Sequence, residues 1–565
     1  MARALAESQA GTDRHQFAQQ FVAAVIQSYA VESRMKGVPP GPGENDEALL
    51  SPAIELAGAL GKAAACFPVT DASYYIGGTY TAMLPVDVRS KLGIFYTPPV
   101  LVDRLLDGTT EAGVDWSTCS VLDPACGGGA FLAPVIERMR TALGNCDQAV
   151  GSRNILNRIT GFEIDPFAAW MSRVFITAAL GGEGHLLLPQ IETAVKVCDA
   201  LDEQPRHQPF DLVIGNPPYG RLRLDPERRR RFQRSLFGHA NIYGLFTDQA
   251  VRFTRQGGII ALVTPASFLA GEYFKALRSV LVSEAPPVSL DVVTARSGVF
   301  DDVLQETVLT VYRRGNRAGD AAVRVIAPSS STSIRQEYSG RFTLPRSIDA
   351  PWFVPRSRSQ GRLVDRMAQM KHRLRDYGYR VSTGPLVWNR YKTQLRQRHG
   401  KGCHPIVWAE SITQGGIFRL KYETRGHKRW INLDESQDWL LQAASCVLLQ
   451  RTTAKEQSRR LIAAELPQVV LDQYGPVVVE NHLNMIRPAV DVPVVSSRVI
   501  SALLNTSVVD QVFRCLSGSV AVSAYELQSL PLPDPNDIRR LDGLVDDADA
   551  FGLAVAALYS SEVAQ

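Results

Sequence analysis

Three stretches of this chain share one pattern, an apolar run that stops at an acid, and helix-length segments separate them. Cys119-Ser-Val-Leu-Asp123-Pro-Ala-Cys-Gly-Gly-Gly-Ala-Phe-Leu132 runs through a glycine turn into a helical pattern over 131–143. Asn157-Arg-Ile-Thr-Gly-Phe-Glu163-Ile-Asp-Pro166 repeats it, and Ala194-Val-Lys-Val-Cys-Asp199-Ala-Leu201 repeats it again. Strands alternating with helices build a parallel sheet, because parallel neighbours need a crossover of a dozen residues or more. Asp123, Glu163 and Asp199 then stand along one carboxyl edge, where open α/β sheets bind ligands. Any one of them can be a helix cap; three in register ahead of a fourth strand are hard to ascribe to capping alone.

The fourth strand carries the sharpest motif, Asp211-Leu-Val-Ile-Gly-Asn216-Pro217-Pro218-Tyr219-Gly220. Its apolar residues read as a short buried strand, which the two prolines stop and extend into a turn. An amide and an aromatic ring are left at the strand mouth. The Asn216 oxygen and a proline carbonyl can accept hydrogen bonds from an exocyclic amine while Tyr219 stacks on the ring that carries it. An amine held in this way can attack an electrophilic methyl group.

Two further features bear on the ligand. In Tyr96-Thr97-Pro98-Pro99, Thr97 is placed to cap a helix opened by proline, which turns free N–H groups toward a ligand; a plain helix start is the alternative. The turn after Asp123 lacks the third glycine of a dinucleotide site, since Leu132 stands there, and it lacks the lysine of a phosphate-binding loop. An acid just before such a turn favours an ammonium or sulfonium ligand over a pyrophosphate.

Apolar runs at 257–265, 288–293 and 307–312 bring the expected strands to seven, and the breaker clusters Gly315–Gly319 and Pro328–Thr332 put the end of this domain near 325. Ahead of it, Phe17, Phe21, Val22, Val25 and Tyr29 at helical spacing and an Ala/Leu-rich stretch at 49–65 read as a helical cap over 1–90. A chain of 565 residues exceeds one core and implies two or three domains. No apolar run approaches the roughly 18 residues of a membrane span, and Met1-Ala-Arg-Ala-Leu-Ala-Glu lacks the apolar centre of a secretory signal, so a cytoplasmic protein is expected. The eight cysteines are dispersed, and Cys403-His404 has no partner pair nearby, so neither disulfides nor a metal site are expected.

Residues 361–430 hold sixteen Lys and Arg against four Asp and Glu, a local +12 against −8 for the rest of a chain of net charge +4. Tyr377, Tyr379, Trp388, Tyr391, Trp408 and Trp430 interleave there with Arg390, Lys392, Arg396 and Arg398. The mixture suits phosphate contact with base-edge readout, although aromatics equally serve a core and charges a solvated face. A second run, Arg221 to Arg234, follows the Asn216 motif and reads as either a phosphate grip or a solvated helix face.

With Tyr96-Thr97-Pro98, Asp123-Pro-Ala-Cys-Gly-Gly-Gly129, Glu163, Asp199 and Asn216-Pro-Pro-Tyr219 in that order over about 90–325, the chain resembles the S-adenosylmethionine-dependent adenine-N6 DNA methyltransferases of the gamma class, the TaqI-like group of restriction-modification enzymes. The resemblance implies a Rossmann-like, seven-stranded α/β catalytic domain over 91–325, between the helical cap of 1–90 and a C-terminal α+β target-recognition domain of 326–565. It implies S-adenosylmethionine as cofactor, double-stranded DNA as substrate, a separate cognate endonuclease as partner, and no membrane. By the same resemblance Tyr96 and Thr97 line the methionine end of the cofactor, and the loop from Asp123 through Ala125 and Gly127 wraps its amino-acid portion. Glu163 holds the ribose, and Asp199 the adenine amine. Cys198 departs from the glycine common in the family. Asn216, Pro217, Pro218 and Tyr219 would be catalytic, with Tyr219 and Phe300 sandwiching a flipped adenine; Phe300 is equally placed for core packing. RNA adenine methyltransferases, enzymes that methylate a glutamine amide in release factors, and a DNA-binding protein with an inactive methyltransferase fold are the alternative readings.

Overall fold

A computed structural model of the chain describes all residues except 1, 8–10, 42–50, 93–95, 183–186, 206, 295–305, 316–318, 330–332, 346, 349, 423, 425, 453–458, 517–520 and 561–565. The apolar runs pair into one sheet of β1 (Val121–Asp123), β2 (Ile159–Glu163), β3 (Val195–Val197), β4 (Phe210–Gly215), β5 (Thr254–Pro265), β6 (Pro287–Val293), β7 (Thr307–Arg313), β8 (Ala321–Pro328) and β9 (Ile334–Phe342). Their order is β9-β8-β6-β7-β5-β4-β1-β2-β3. The pairs β3–β2, β2–β1, β1–β4 and β4–β5 are parallel, and Val121 stands opposite both Ile159 and Leu212. Strand β7 runs antiparallel to β5 and β6, while β8 is parallel to β6. The central strands β1 and β2 are buried along their whole length, as strands covered on both faces must be.

All seven expected strands form, but the sheet has nine. The breaker clusters at 315–319 and 328–332 fall between strands of one sheet instead of ending a domain. The chain divides into two compact units, Met1–Pro265 with Ala276–Glu337, and Ala266–Lys275 with Tyr338–Gln565. That division falls inside β9 and not at 325.

The first unit also takes in the N-terminal helices α1 (Gly11–Glu32), α2 (Ser51–Ala64) and α3 (Val69–Met83). Phe21, Val25 and Tyr80 from these helices share one hydrophobic core with Leu106, Val121, Ile136 and Phe175, so the first ninety residues are no separate cap. The buried positions of α2 are Ala53, Ala57, Gly61 and Ala64. So small a face removes little apolar area from water by itself, and the helices gain their stability by packing on the larger unit. Helices α4 (Pro99–Glu111), α5 (Leu132–Leu143), α6 (Pro166–Ala179), α7 (Pro226–Arg231) and α8 (Ile242–Phe253) follow in chain order.

The second unit is α+β. Strands β10 (Tyr379–Thr383), β11 (Leu395–Arg396), β12 (Cys403–Val407), β13 (Trp430–Asn432), β14 (Leu441–Gln442), β15 (Cys446–Gln450), β16 (Ala463–Leu466), β17 (Val477–Val479) and β18 (Leu483–Pro488) form a four-stranded sheet, β10-β18-β15-β16, and a five-stranded one, β11-β13-β12-β17-β14. The helices Ser497–Leu504 and Ser507–Leu516 pack their apolar faces into the core beside the four-stranded sheet. No single helix among the described residues is long and apolar enough to cross a membrane.

Candidate active site

A cavity of about 210 Å³ lies at the carboxyl ends of β1, β2 and β4, lined by Tyr96, Thr97, Ala125, Gly127, Glu163, Asp199, Asn216 and Pro218 among others. Eight of the expected site residues therefore meet at one place. The turn between β1 and α5 is possible because Gly127 (φ +52°) and Gly129 (φ +87°) adopt left-handed conformations that side chains avoid. Gly128 is needed for a different reason. A Cβ there would stand 2.5 Å from the Tyr96 hydroxyl oxygen.

Asn216 is held from both sides. Its Nδ2 donates to Thr97 Oγ1 at 3.0 Å, and its Oδ1 accepts from the Tyr219 hydroxyl at 2.8 Å. The expected cap at Thr97 does not form: Pro98 is the N-cap of α4, without a side-chain bond, and the buried Thr97 hydroxyl serves the amide instead. The Tyr219 ring stands edge-on to Tyr243 at 6.1 Å, and burial pushes its hydroxyl pKa well up, so it remains a donor. Neither Tyr219 nor Pro217 lines the cavity. The amide thus faces the cavity while the tyrosine lies behind it.

The three acids differ in their surroundings. Asp123 is fully buried and is not among the residues that line the cavity. Its Oδ1 accepts from Ala125 N at 3.0 Å and lies so near Gly215 that a Cβ there would approach to 2.5 Å. Only a glycine ahead of Asn216 lets the carboxyl sit against β4. Burial pushes the Asp123 pKa up to about 8, with a smaller contribution from the Glu163 charge. Glu163 accepts from Asp165 N at 2.9 Å and Gly127 N at 2.8 Å, which ties the end of β2 to the glycine turn; burial raises its pKa to about 7. Asp199 lines the cavity with Cys198, pairs with Arg228 at 2.6 Å, and caps Leu201 N at 3.0 Å.

Arg228 belongs to the run that the sequence leaves open between a phosphate grip and a solvated helix face. In the structure it spans Asp199 and Asp202, and hydrogen bonds to Asp202, ahead of the pairing with Asp199, raise its pKa. Arg231 donates to the Glu203 carbonyl, and Arg234 pairs with Asp248 and Glu284. These three arginines hold α7 and its flanks to the first unit, and only Arg221, Arg223, Arg229 and Arg230 of the run are exposed. Arg228 is a cavity residue that the sequence reading assigned to another role. Ile164 is a second one, 53% exposed at the cavity although apolar, and its position directly after Glu163 was the available signal.

Phe300 lies outside the described residues. Arg390, Lys392, Arg396 and Arg398 are exposed on the second unit. Arg396 donates to its own backbone, to Thr393 O at 2.6 Å and Leu395 O at 3.0 Å, and Lys392 lies 5.6 Å from the Trp388 ring centre. Tyr377, Tyr379 and Trp408 are buried, which removes them from any base-stacking role; their polar atoms bond the backbone at Pro533, Val495 and Lys428. Trp388, Tyr391 and Trp430 remain partly exposed.

Residues 157–293 match the family described as Eco57I restriction-modification methylase. Among curated proteins, the chain is similar to Type II methyltransferase M.BsuBI of Bacillus subtilis, 27% identical over 460 residues that cover 79% of this chain and 88% of the relative. It is also similar to Type II methyltransferase M.PstI of Providencia stuartii, 23% identical over 348 residues covering 60% and 68%. Among solved structures it is similar in fold to the type IIL restriction-modification enzyme MmeI in complex with DNA, with a TM-score of 0.52, 13% identity, and coverage of 91% of this chain and 82% of that one. The resemblance read from the motifs is borne out, and S-adenosylmethionine is the expected cofactor. The residues present fit it. The Tyr96 hydroxyl and Asp123 Oδ2 are buried without a partner among the described residues, and both adjoin the glycine turn. A hydroxyl donor and a carboxyl oxygen are the groups that a ligand carrying a carboxylate and an ammonium would satisfy.

Proposed function

We propose that the chain is a site-specific DNA adenine-N6 methyltransferase of the restriction-modification type. The observation that carries this reading is the Asn216 amide, fixed by Thr97 at the mouth of β4 and facing the cavity that Glu163 and Asp199 share. Adenine N6 lies inside the duplex stack, so the base must be flipped out before its amine reaches Asn216. The second unit, with its exposed arginines, is the target-recognition part of this reading. A separate cognate endonuclease is the partner it implies.

When bound, S-adenosylmethionine supplies an electrophilic methyl group on a sulfonium. Asn216 Oδ1 and the Pro217 carbonyl accept from the N6 amine, which turns its lone pair out of conjugation with the ring and toward that methyl. With the cofactor bound, Asn216 and Pro217 would hold the amine in line with the methyl carbon, so that an N–C bond would replace the S–C bond and the surplus amine proton would pass to water. In the free protein the acceptor is occupied by the Tyr219 hydroxyl, so entry of the base exchanges one donor for another, and stacking by Tyr219 requires its ring to turn from Tyr243 toward the cavity. Thr97 engages Nδ2, which in this reading leaves Oδ1 to meet the amine. Positioning and electrostatics carry the rate.

Plasmid DNA incubated with the protein and methyl-labelled cofactor, then digested to nucleosides, should contain labelled N6-methyladenine on mass spectrometry. Label in N4-methylcytosine would overturn the base assignment, and label in no nucleoside would overturn the DNA substrate.

A further inference from the structure

One element outside all of the methyltransferase motifs backs a residue that lines the cavity. Helix α3 presents Gly77 to the ring of Tyr96, where an added Cβ would stand 2.1 Å from Cε1 and 2.3 Å from Cζ. With Gly128 on the hydroxyl side, the Tyr96 ring is held between two glycines, one from the ligand turn and one from α3. Tyr80 follows three residues later and so shares that face of the helix. Its buried hydroxyl donates to Asp165 Oδ2 at 3.1 Å, lies 3.1 Å from His15 Nε2 of α1, and its ring packs on Phe167 with centres 4.9 Å apart. Asp165 caps α6 through Phe167 N, and its own N–H donates to Glu163 Oε1. One face of α3 therefore touches both the aromatic wall of the cavity and the turn that aims Glu163.

We infer that Gly77 and Tyr80 are positioning residues of the cofactor cavity, so that the N-terminal helices complete the site. The inference rests on the cofactor reading above. Gly77 acts through Tyr96 by leaving room for its ring. Tyr80 acts through Asp165 by fixing the turn between β2 and α6, and with it the direction of the Glu163 carboxyl. Neither residue touches the ligand.

The test uses the full chain, with S-adenosylmethionine affinity measured by calorimetry and steady-state methylation of DNA. Tyr80→Phe removes the hydroxyl and keeps the ring, and about a tenfold weaker affinity is expected, the size of one lost buried hydrogen bond to a charged group. KM for the cofactor should rise by the same factor while kcat at saturation stays within about twofold. Gly77→Ala should weaken affinity in the wild-type background and have no further effect when combined with Tyr96→Ala. If folded Tyr80→Phe and Gly77→Ala both bind the cofactor as the wild type does, whatever their melting temperatures, α3 is only structural and the inference fails. Should Gly77→Ala not fold, Tyr80→Phe decides alone. Absence of binding by the wild type itself would instead sink the methyltransferase reading.

Discussion

Asn216 and Thr97 show how much chemistry hangs on one side-chain contact. An amide can present either its oxygen or its nitrogen to a substrate amine, and only the oxygen can accept. In the structure Nδ2 donates to the Thr97 hydroxyl and Oδ1 accepts from Tyr219, the orientation that the proposed reaction needs. Asn216→Ala should leave cofactor affinity intact and lower kcat by about 10²–10³-fold, the range found when one preorganised polar group is removed from an active site. Thr97→Val should lower kcat while Thr97→Ser restores it; near-normal turnover in both Asn216→Ala and Thr97→Val would remove the amide from the mechanism. Asp123 and Glu163 predict a pH effect. Their folded pKa values, about 8 and about 7, lie above the ordinary 3.8 and 4.5, because burial disfavours the charged form. Groups raised in this way stabilise the fold fully below their unfolded pKa, and that stability is lost as pH rises through the folded one. The ligand-free protein should therefore melt at progressively lower temperature from about pH 5 to 8, and Asp123→Asn should flatten the trend. A flat profile for the wild type would contradict the burial argument.

Among the elements, α8 and the turn after α7 hold a charge network that takes in Arg234, the last arginine of the basic run. Asp248 on α8 is fully buried and accepts from Arg234, Arg252 and Ser235. Removing the acid leaves the partly buried Arg252 without its carboxylate and Arg234 with Glu284 alone. Asp248→Ala should cost about 3–5 kcal/mol of stability, as breaking a buried ion pair from one side does, and chemical denaturation measures this directly. A loss under 1 kcal/mol would show that the arginines swing out to water. The same run explains why a charge count could not assign these residues. Arg228 stands one and two residues before exposed Arg229 and Arg230, and Arg234 about one turn after them, so neighbouring positions of one short segment serve the cavity, a buried acid and solvent in turn.

At the scale of the whole molecule, the basic excess of 361–430 lies in the second unit, where Arg390, Lys392, Arg398 and Lys401 are exposed and make no ion pair among the described residues. Unpaired surface cations release condensed counterions from DNA, and log affinity should fall by ~0.9 per phosphate contact for each decade of salt. The double variant Arg396→Ala, Arg398→Ala should flatten that slope by one to two such contacts in a binding titration over salt. A slope unchanged from wild type would leave this segment a solvated face. Of the six aromatics that interleave with these cations, three serve the core, and Trp388, Tyr391 and Trp430 are left partly exposed.

The sequence by itself determined the catalytic sheet and most of the cavity, because both depend on local rules. Apolar runs ending in Asp123, Glu163 and Asn216 must be buried strands, helical spacers force them parallel, and parallel strands bring their carboxyl ends together. What it could not determine depends on partners distant in the chain. Asp123 reads as an acid at an open strand edge until Gly215, from a strand 92 positions on, is seen to admit its Oδ1 against β4. Thr97 reads as a cap until Asn216 claims its hydroxyl. The N-terminal helices read as an appendage until Gly77 and Tyr80 are found against Tyr96 and Asp165. Strands β8 and β9 lay beyond breaker clusters that end a domain in many chains, and only pairing to β6 shows that here they do not. In each case the local pattern allowed two roles, and the choice was made by which buried polar group or open space the fold brought alongside.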